Sequence, residues 1–466
     1  MRLARLAAMM LLCAAGLPRL MAPQTAPPDR ATPRPLGLTV ADLVYPKPPT
    51  MADCEHTQKE PCYSPLQLQT AYDMKPLYDA GLRGRGTTIA VVVSFGSPTI
   101  ARDLAAFDRG FGLTSPPSFK VITPAGRVPP YNPHGTDRVG WAVETSLDVE
   151  YAHAMAPAAR ILLVETPVDE TIGVAGLPAI VRAEKYVIDH RMANVITQSF
   201  GAAERTFPNP RSIRRLRGAF VSARAHHVTE LAATGDTGPT SFSDIDGTRF
   251  FIRPAAIWPA TDPLVTAVGG TSIHLDAAGE RVSHDTAWND CPAGGCLSAG
   301  GGGLSMVFPR PPFQYSVRSV TGRSRGIPDI SLSADRSGGA LVYTSFPGFS
   351  AGYHSVGGTS EASPLFAGIV AVADQANGHP LGFLNPRLYR LGSGSPGIPD
   401  ITLGSTTVSF NQNHRTIRVK GWQARPGYDL ATGLGTVDGA KLVKALTGVS
   451  LKSIASSRHE LRTRNP

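Results

Sequence analysis

Cysteine is scarce in this sequence, and the few cysteines present are not arranged as metal ligands. The chain has five cysteines among 466 residues, and Cys13 lies in an apolar run near the N-terminus. The other four form two close pairs, Cys54 with Cys62 and Cys291 with Cys296. Neither pair has C-x-x-C spacing and no histidine cluster accompanies them, which argues against a zinc site. Three disulfide pairings are possible, and the two local ones are the simplest in an oxidising compartment.

The sequence also lacks an internal repeat, a run of basic residues and an apolar segment long enough to cross a bilayer. The net charge is +9, but the basic residues are scattered, so we expect no nucleic-acid-binding module. The apolar run at residues 6–17 follows Arg2 and Arg5, as in a secretory signal, and is too short for a membrane span. We therefore expect a signal peptide over residues 1–21, a secreted protein and no stable membrane partner. The alternative is an uncleaved N-terminal segment that retains the protein.

Composition divides the rest of the chain into three parts. Residues 22–63 begin with a stretch rich in proline and polar residues, which predicts a linker or a short prosegment. Residues 64–449 are expected to form the folded part, and the hydrophobic content of 42% is ample for a large core. Residues 450–466 are polar and basic, so we expect a loose tail. We expect the protein to be a monomer.

Apolar runs of strand length alternate with helical patterns through the first half of the folded part. This alternation predicts an α/β fold with a doubly wound parallel sheet and helices on both faces. In such sheets, functional sites gather at the carboxyl ends of the strands. The predicted strands are residues 87–93, 160–164, 194–199 and 229–233, and the predicted helices are residues 67–82, 100–111, 141–155, 175–190 and 213–226.

A glycine-rich turn leads into an apolar helical pattern in the segment GGTSEASPLFAGIVAVADQANG, which begins at Gly357. The apolar residues recur on one wide face, which predicts a buried helix. Gly357 and Gly358 allow close backbone approach to a ligand, and the first-turn N–H groups are unpaired donors. Ser360 is therefore a candidate nucleophile for acyl transfer. The alternative is that Thr359 or Ser360 merely caps the helix.

Two carboxylates in the segment WAVETSLDVEYAHAM are candidates for the base that a serine requires. Glu144 and Asp148 are four positions apart, which places both on one face of a helix. Like charges held together raise one pKa, so the pair is a plausible proton relay. The alternative is an exposed acidic stripe, although Val143, Leu147 and Ala152 indicate a mostly buried helix.

A histidine is the competing candidate for the base. The segment His134-Gly135-Thr136 resembles the histidine motif of subtilisins. Subtilisins have an aspartate just after the first core strand, where this sequence has Ser94, and the second histidine of their motif is replaced here by Asp137. We therefore expect His134 to be an ordinary surface residue in a loop.

A series of motifs runs from residue 64 to residue 446. In chain order they are YSPLQLQTAYDMKPLYDAGLRGRGTTIAVV, the E-x-x-x-D helix, VITQSFG, ATGDTG, WPATDPLVTAVGGTS, AGGGGLS with FPRPPFQ, IPDISLSAD, GGTSEASP, PDITLG and GYDLATGLG. This series resembles the sedolisin family of serine-carboxyl peptidases, relatives of the subtilisins in which glutamate replaces histidine. The resemblance implies a subtilisin-like fold and a peptidase domain over residues 64–449.

The resemblance implies catalytic roles for four residues. Ser360 would be the nucleophile, Glu144 the general base and later acid, and Asp148 the partner that orients Glu144. Asp236 would be the oxyanion-hole residue, and a carboxyl group must be protonated to donate a hydrogen bond there. An acidic pH optimum follows, because ionised Asp236 would place negative charge where the transition state requires a donor.

The resemblance also implies how a substrate is held. Ser199, Gly201, Gly301 and Gly302 resemble the backbone edges on which these peptidases hold an extended peptide as an added strand. We expect a secreted endopeptidase that hydrolyses protein or peptide substrates in acid. The alternatives are a tripeptidyl-peptidase of the same family and a non-catalytic secreted protein that retains the fold.

The last implication is one bound calcium ion near the C-terminus. The matching ligands are the carboxylates of Asp400 and Asp429 and the carbonyls of Ile401, Arg425 and Gly427. Mixed carboxylate and carbonyl oxygens suit Ca²⁺. Arg425 stands where the family usually has glycine, and residues 406–420 resemble an inserted hairpin. The alternative is that Asp429 is a turn residue and Asp400 a cap.

Overall fold

The structure is a computed structural model that describes residues 39–40, 44–170 and 175–450. The expected signal peptide at residues 1–21, the first part of the expected linker and the tail from residue 451 onward lie outside the described residues. Within the ranges that the structure does describe, no helix is both long and apolar enough to cross a membrane.

Helices and strands alternate along most of the chain. The helices are α1 (Met51–Gln58), α2 (Pro65–Ala71), α3 (Lys75–Asp79), α4 (Ile100–Phe111), α5 (Thr136–Met155), α6 (Leu177–Asp189), α7 (Pro210–Arg215), α8 (Gly218–Ala225), α9 (Arg318–Thr321), α10 (Thr359–Asn377), α11 (Asn385–Leu391) and α12 (Gly439–Thr447). The strands are β1 (Thr39–Val40), β2 (Cys62–Tyr63), β3 (Thr88–Ser94), β4 (Phe119–Ile122), β5 (Arg160–Thr166), β6 (Val195–Gln198), β7 (Ala202–Ala203), β8 (Thr229–Ala233), β9 (Ile257–Trp258), β10 (Thr266–Ser272), β11 (Thr286–Ala287), β12 (Gly303–Pro309), β13 (Ser324–Ile327), β14 (Ile330–Ser333), β15 (Gly339–Thr344), β16 (Gly352–Gly357), β17 (Val408–Gln412) and β18 (Arg415–Val419).

The central sheet has the order β4-β5-β3-β6-β8-β10-β14, and every neighbouring pair in that order is parallel. The short strand β11 adds to β10 in the antiparallel direction. All seven residues of β3 are buried, because a β-branched apolar run suits a strand covered on both faces. The predicted α/β fold with a parallel sheet is confirmed.

Helices cover both faces of this sheet, as two consecutive residues of β6 demonstrate. Thr197 Oγ1 lies 2.8 Å from Ser363 Oγ of α10, whereas Gln198 Nε2 donates to Glu230 Oε2 on β8 at 3.0 Å. Since successive strand residues point to opposite faces, α10 and the Glu230 side chain lie on different sides of the sheet. Helices α5 and α10 pack against each other on one face, and α6 packs against α8.

Residues just ahead of Ser64 are folded, although the composition predicts a linker or a prosegment there. Helix α1 has a capping box between Thr50 and Asp53, and the Cys54–Cys62 disulfide ties it to β2. Strands β1 and β2 join β16 and β15 in a second sheet of order β1-β16-β15-β2. The packed structure therefore begins ahead of Ser64.

The disulfides and the inserted hairpin agree with the sequence analysis. Cys54 pairs with Cys62, and Cys291 pairs with Cys296, so both local pairings are confirmed. Strands β17 and β18 form an antiparallel hairpin within residues 406–420. This hairpin packs its buried residues against Ala299, close to the glycine run.

Two predicted helices are interrupted in the structure. The segment 67–82 is divided into α2 and α3, because Asp73 adopts a left-handed φ of 51° and Pro76 occupies the first turn of α3. The segment 213–226 is divided between α7 and α8, with Gly218 as the first residue of α8. Helix α5 begins at Thr136, five residues ahead of the predicted start, and α4 has the predicted bounds.

Candidate active site

Ser360 is the second residue of α10, and its neighbours do not cap the helix. The N-cap residue is Gly358, which has a φ of 138° and makes no side-chain cap hydrogen bond. Thr359 instead donates its hydroxyl to Asp236 Oδ1 at 2.7 Å. A Cβ atom at Gly358 would lie 2.4 Å from Asp236 Oδ2, so this close approach requires glycine. The capping interpretation of Thr359 and Ser360 is therefore wrong.

Glu144 and Asp148 lie on the buried part of α5, which packs directly against α10. Both residues are 0% exposed, so the exposed acidic stripe is excluded. Burial raises the pKa of Glu144 well above its usual range, and the Asp148 charge adds to that effect, while the nearby Ser360 hydroxyl lowers it. Burial likewise raises the pKa of Asp148. Two buried carboxyl groups this close share a proton between them more readily than they both ionise.

Ser199 supports the carboxylate pair through its side chain. It follows β6 directly, and its Oγ donates to Asp148 Oδ1 at 2.7 Å. The other oxygen, Asp148 Oδ2, is buried and receives no hydrogen bond from the described residues, as is true of both oxygens of Glu144. Asp148 therefore has one oxygen held in place and one oxygen available to Glu144.

Asp236 lies in the turn that follows β8 and faces the start of α10. Its Oδ1 accepts hydrogen bonds from the backbone N–H and the hydroxyl of Thr359, both at 2.7 Å. Its Oδ2 is buried and has no hydrogen-bond partner among the described residues. Burial raises the pKa of Asp236 to about 7, against the lowering effect of the Thr359 hydrogen bonds. Below that pH the group is protonated and can donate a hydrogen bond.

These side chains come from four elements that meet at the carboxyl end of the sheet, and α5 supplies Glu144 and Asp148. Ser199 follows β6, Asp236 follows β8, and the neighbouring start of α10 carries Ser360. Because β6 and β8 are adjacent parallel strands, their carboxyl ends lie side by side. A serine hydroxyl, a pair of buried carboxyl groups and a carboxylic acid with a raised pKa can supply the nucleophile, the base and the oxyanion donor of an acyl transfer.

His134 is remote from this constellation. It is exposed, and it lies in the loop ahead of α5 with its backbone N–H bonded to Asn132 Oδ1 at 3.0 Å. From Thr136 to Glu144 the helix rises by about 12 Å, at 1.5 Å per residue. His134 precedes this helix and therefore lies far from Glu144, which agrees with the surface position that the sequence predicts.

The predicted substrate-binding glycines are closely packed, and Gly301 lies beside the Asp236 turn, where its N–H donates to the Gly235 carbonyl at 2.6 Å. A Cβ atom at Gly301 would lie 2.0 Å from the Thr234 carbonyl oxygen, and one at Gly302 would lie 2.1 Å from the Leu430 carbonyl oxygen. A Cβ atom at Gly201 would approach the Trp258 carbonyl oxygen to 2.7 Å. These positions require glycine for backbone packing, whatever contact they make with a peptide.

One long-range contact and one local contact join four of the five predicted calcium ligands in two pairs. Gly427 N donates to Asp400 Oδ2 at 2.7 Å, and Arg425 N donates to Asp429 Oδ2 at 2.7 Å. Asp400 Oδ1 is buried without a hydrogen-bond partner in the described residues. Among those residues no group of three or more His, Cys, Asp or Glu side chains could hold a metal ion. A site here would therefore depend on two carboxylates and on carbonyl oxygens.

Three carboxylates near the site, two of them buried and one half-buried, are not candidates in the sequence analysis. Glu170 is 8% exposed, and its charge raises the pKa of Glu144. Glu361, next to Ser360, is fully buried, and burial raises its pKa well above the usual range. Asp290 raises the pKa of Asp236 from a separate loop. The one signal in the sequence was Glu361, a charged residue in the segment that is predicted to form a buried helix.

Comparison with known proteins places the chain in a family. Residues 86–390 match the subtilase family. The chain is 34% identical to kumamolisin from Bacillus sp. (strain MN-32) over 392 residues, covering 82% of this chain and 63% of kumamolisin. It is 29% identical to sedolisin from Pseudomonas sp. (strain 101) over 385 residues, covering 82% of this chain and 60% of that protein. The chain belongs to the sedolisin family of subtilases.

Other relatives and a solved structure agree with this placement. Tripeptidyl-peptidase 1 from Mus musculus is 31% identical over 363 residues, which cover 74% of this chain and 57% of the peptidase. The structure of Pseudomonas sedolisin complexed with two molecules of pseudo-iodotyrostatin superposes with a TM-score of 0.66 at 27% identity, covering 84% of this chain and 99% of that one. This sedolisin-family chain thus spans about three fifths of the length of the relatives it matches.

Proposed function

We propose that this chain is a serine-carboxyl endopeptidase that hydrolyses peptide bonds in proteins at acidic pH. The observation that carries the proposal is the junction of α5, α10 and the turn after β8. There Ser360 lies beside the buried Glu144–Asp148 pair, and the free oxygen of Asp236 approaches the N-terminus of α10. Family membership supports the same reaction class.

Acylation begins at the Ser360 hydroxyl. Its oxygen attacks the carbonyl carbon of the scissile bond, and Glu144 accepts the hydroxyl proton as the new carbon–oxygen bond forms. Asp148, held by Ser199, shares the proton already present on the carboxyl pair, so Glu144 has an oxygen free to accept another. Glu144 then gives its proton to the leaving amine, and water hydrolyses the acyl-enzyme by the same steps in reverse.

Asp236 stabilises the oxyanion that develops on the carbonyl oxygen. Its Oδ1 is occupied by Thr359, so a proton on Oδ2 would point toward the start of α10. The pKa of Asp236 is raised to about 7, so the donor is present below that pH and is lost as pH rises through it. The proposed enzyme is therefore active in acid and loses activity above neutral pH.

The experiment that tests the proposal compares the chain with its Ser360→Ala variant on a denatured protein across a pH series. We expect hydrolysis by the parent below about pH 7 and a loss on the order of 10⁴-fold or more in the variant. Ser363→Ala is the control, because Ser363 lies on the same helix but bonds Thr197 instead of facing Glu144. An optimum in the alkaline range, or an active Ser360→Ala protein, would contradict the mechanism.

Endopeptidase action is distinguished from tripeptidyl-peptidase action by the products. The similarity to tripeptidyl-peptidase 1 keeps the second activity as the alternative. A substrate blocked at its N-terminus separates the two, because an endopeptidase cleaves it internally and a tripeptidyl-peptidase requires a free N-terminus. Secretion through the segment at residues 1–21 is part of the same proposal, and mass spectrometry of the mature N-terminus tests it.

We also propose one Ca²⁺ held by the carboxylates of Asp400 and Asp429 with the carbonyls of Ile401, Arg425 and Gly427. The unpartnered Asp400 Oδ1 and the all-oxygen donor set fit that ion. Bound calcium would stabilise the folded chain by about 2.7 kcal/mol at a hundredfold excess over its dissociation constant. We expect EDTA to lower the melting temperature of the parent but not that of Asp400→Asn. If EDTA lowered the melting temperatures of the parent and of Asp400→Asn equally, Asp400 would not be a calcium ligand.

A further inference from the structure

A second carboxyl pair, Asp290 and Asp335, lies outside the proposed triad. Asp290 follows β11 and Asp335 follows β14, and their side chains are within hydrogen-bonding reach of each other. Both line a cavity of about 550 Å³ that also includes Asn289, Ser298 and Ser337. Asp335 is 8% exposed. Asp335 is thus buried and Asp290 is half-buried, and both border a space through which water can exchange protons.

Asp290 is attached to the turn that carries Asp236. Its Oδ1 accepts from Trp288 Nε1 at 2.7 Å, its Oδ2 accepts from the Ser298 hydroxyl, and its backbone N–H donates to the Ser298 carbonyl at 3.0 Å. The next residue, Ala299, donates its N–H to the Asp236 carbonyl at 3.0 Å. Any displacement of Asp290 would therefore be transmitted to the Asp236 turn through the short segment Ser298-Ala299.

Asp335 is attached to the N-terminus of α10. The preceding residue, Ala334, accepts the Gly358 N–H at 2.7 Å and donates its own N–H to the Thr271 carbonyl at 3.1 Å. Asp335 Oδ1 accepts from Ser337 N at 2.8 Å, which fixes the carboxyl group in its loop. Gly358 lies two residues ahead of Ser360. Asp335 therefore belongs to the loop that positions the N-terminus of α10, the helix that carries Ser360.

We propose that Asp290 and Asp335 are positioning residues whose shared-proton hydrogen bond holds the Asp236 turn against the start of α10. This inference rests on the proposed function, since it concerns the same reaction. A bond between two carboxyl groups forms only when one of them carries a proton. The link is therefore present in acid and is replaced by repulsion once both groups ionise.

The charged groups around the pair favour the protonated form. Burial and the neighbouring Asp290 raise the pKa of Asp335 to about 8, against the lowering effect of Ser272 and Ser337. Glu361 and Asp236 are the acidic groups in electrostatic contact with the pair, and Tyr63 is the neighbouring phenol. The nearby cation is Arg336, which is directed to Glu60 at 3.7 Å. The pair thus retains its proton across the pH range in which Asp236 is protonated.

The test uses variants that separate the bond from the charge. Asp335→Ala removes the bond, whereas Asp335→Asn keeps it at every pH because an amide donates to Asp290. At about pH 5 we expect Asp335→Ala to lower kcat on the order of tenfold to a hundredfold with little change in KM, and Asp335→Asn to retain the parent kcat. Asp290→Asn moves the remaining charge to Asp335, away from Asp236. It should shift the alkaline limb of activity to lower pH, while Asp335→Asn leaves that limb in place.

Two results overturn the inference: equal losses in Asp335→Ala and Asp335→Asn, or an unmoved alkaline limb in Asp290→Asn. Thermal unfolding in a Ser360→Ala background gives a reading that does not depend on catalysis. A raised Asp335 pKa gives stability that is fully present below about pH 4 and is lost progressively up to about pH 8. Asp335→Asn should therefore flatten the pH dependence by about one proton. An unchanged slope contradicts the pair. A flattened slope, together with a parent chain that has no peptidase activity, supports the pair and contradicts the proposed function.

Discussion

Two buried carboxyl pairs lie on opposite faces of the same sheet, and their surroundings differ. Glu144 and Asp148 lie on α5, beside the Ser360 hydroxyl, and Asp148 is held by Ser199. Glu184 on α6 and Glu230 on β8 form the other pair. In both pairs burial raises the carboxyl pKa first, and the partner's charge adds to it for Glu144 and Glu230.

The Glu184–Glu230 pair has raised pKa values but, within the part of the chain that the structure describes, no neighbouring group with which it could catalyse a reaction. Among the described residues its hydrogen-bond partner is the Gln198 amide, which donates to Glu230 at 3.0 Å, and neither glutamate faces a nucleophile there. A raised carboxyl pKa is therefore not sufficient to identify a catalytic base in this protein. What distinguishes the α5 pair is the hydroxyl at the start of α10 together with the protonated Asp236 across from it.

The largest expected effect comes from removing the proposed base, Glu144, in comparison with the buried carboxyl group of Glu184 on the other face. Glu144→Gln removes the proton acceptor for Ser360, so we expect kcat to fall on the order of a thousandfold or more. Glu184→Gln is the matched control, because it makes the same change in an equally buried carboxyl pair that lacks a serine. Its kcat should stay within about twofold of the parent. Comparable losses in both variants, measured as peptide hydrolysis, would mean that the effect is structural.

The next effect concerns the pH at which activity is lost. Ionisation of Asp236 near pH 7 should produce the alkaline limb, and Asp236→Asn should move that limb upward, because an amide donates at every pH. Asp374→Asn is the control. Burial also raises the Asp374 pKa to about 7, but the residue lies about 21 Å along α10 from Ser360, at 1.5 Å per residue. A limb that moves in Asp374→Asn and not in Asp236→Asn would contradict the assignment.

The smallest expected effect is on stability, and we expect it for the buried carboxyl pairs on both faces of the sheet. The folded-state pKa of Glu184 is raised to about 8, so its contribution to stability is fully present below about pH 4.5 and is lost as pH rises to about 8. Glu184→Gln should flatten this decline. From acid to alkaline pH, the free energy of unfolding should fall by roughly a few kcal/mol less in the variant than in the parent. Melting temperatures across pH 4 to 9, roughly, provide the measurement. A decline as steep as in the parent would show that this pair ionises normally.

Local pattern accounts for most of the fold and, within the candidate site, for Ser360, Glu144 and Asp148. The β-branched run of β3 and the amphipathic pattern of α4 depend on periodicity within a few residues, and both elements form as predicted. The spacing of Glu144 and Asp148 is likewise a property of a single helix. The break between α2 and α3 was not predicted, because a left-handed residue at Asp73 and the position of Pro76 override the apolar spacing.

By itself, the sequence determined the alternation of strands and helices, the carboxylates of α5 and the glycine-flanked serine of α10, because each is written in consecutive residues. Tertiary structure alone decided which groups meet. Asp236 and Thr359 are 123 positions apart, and Ser199 and Asp148 are 51 apart. The pairing of Asp290 with Asp335 and the burial that raises these pKa values arise only when separate segments exclude water from one another. Desolvation depends on the assembled core, and no local spacing encodes it.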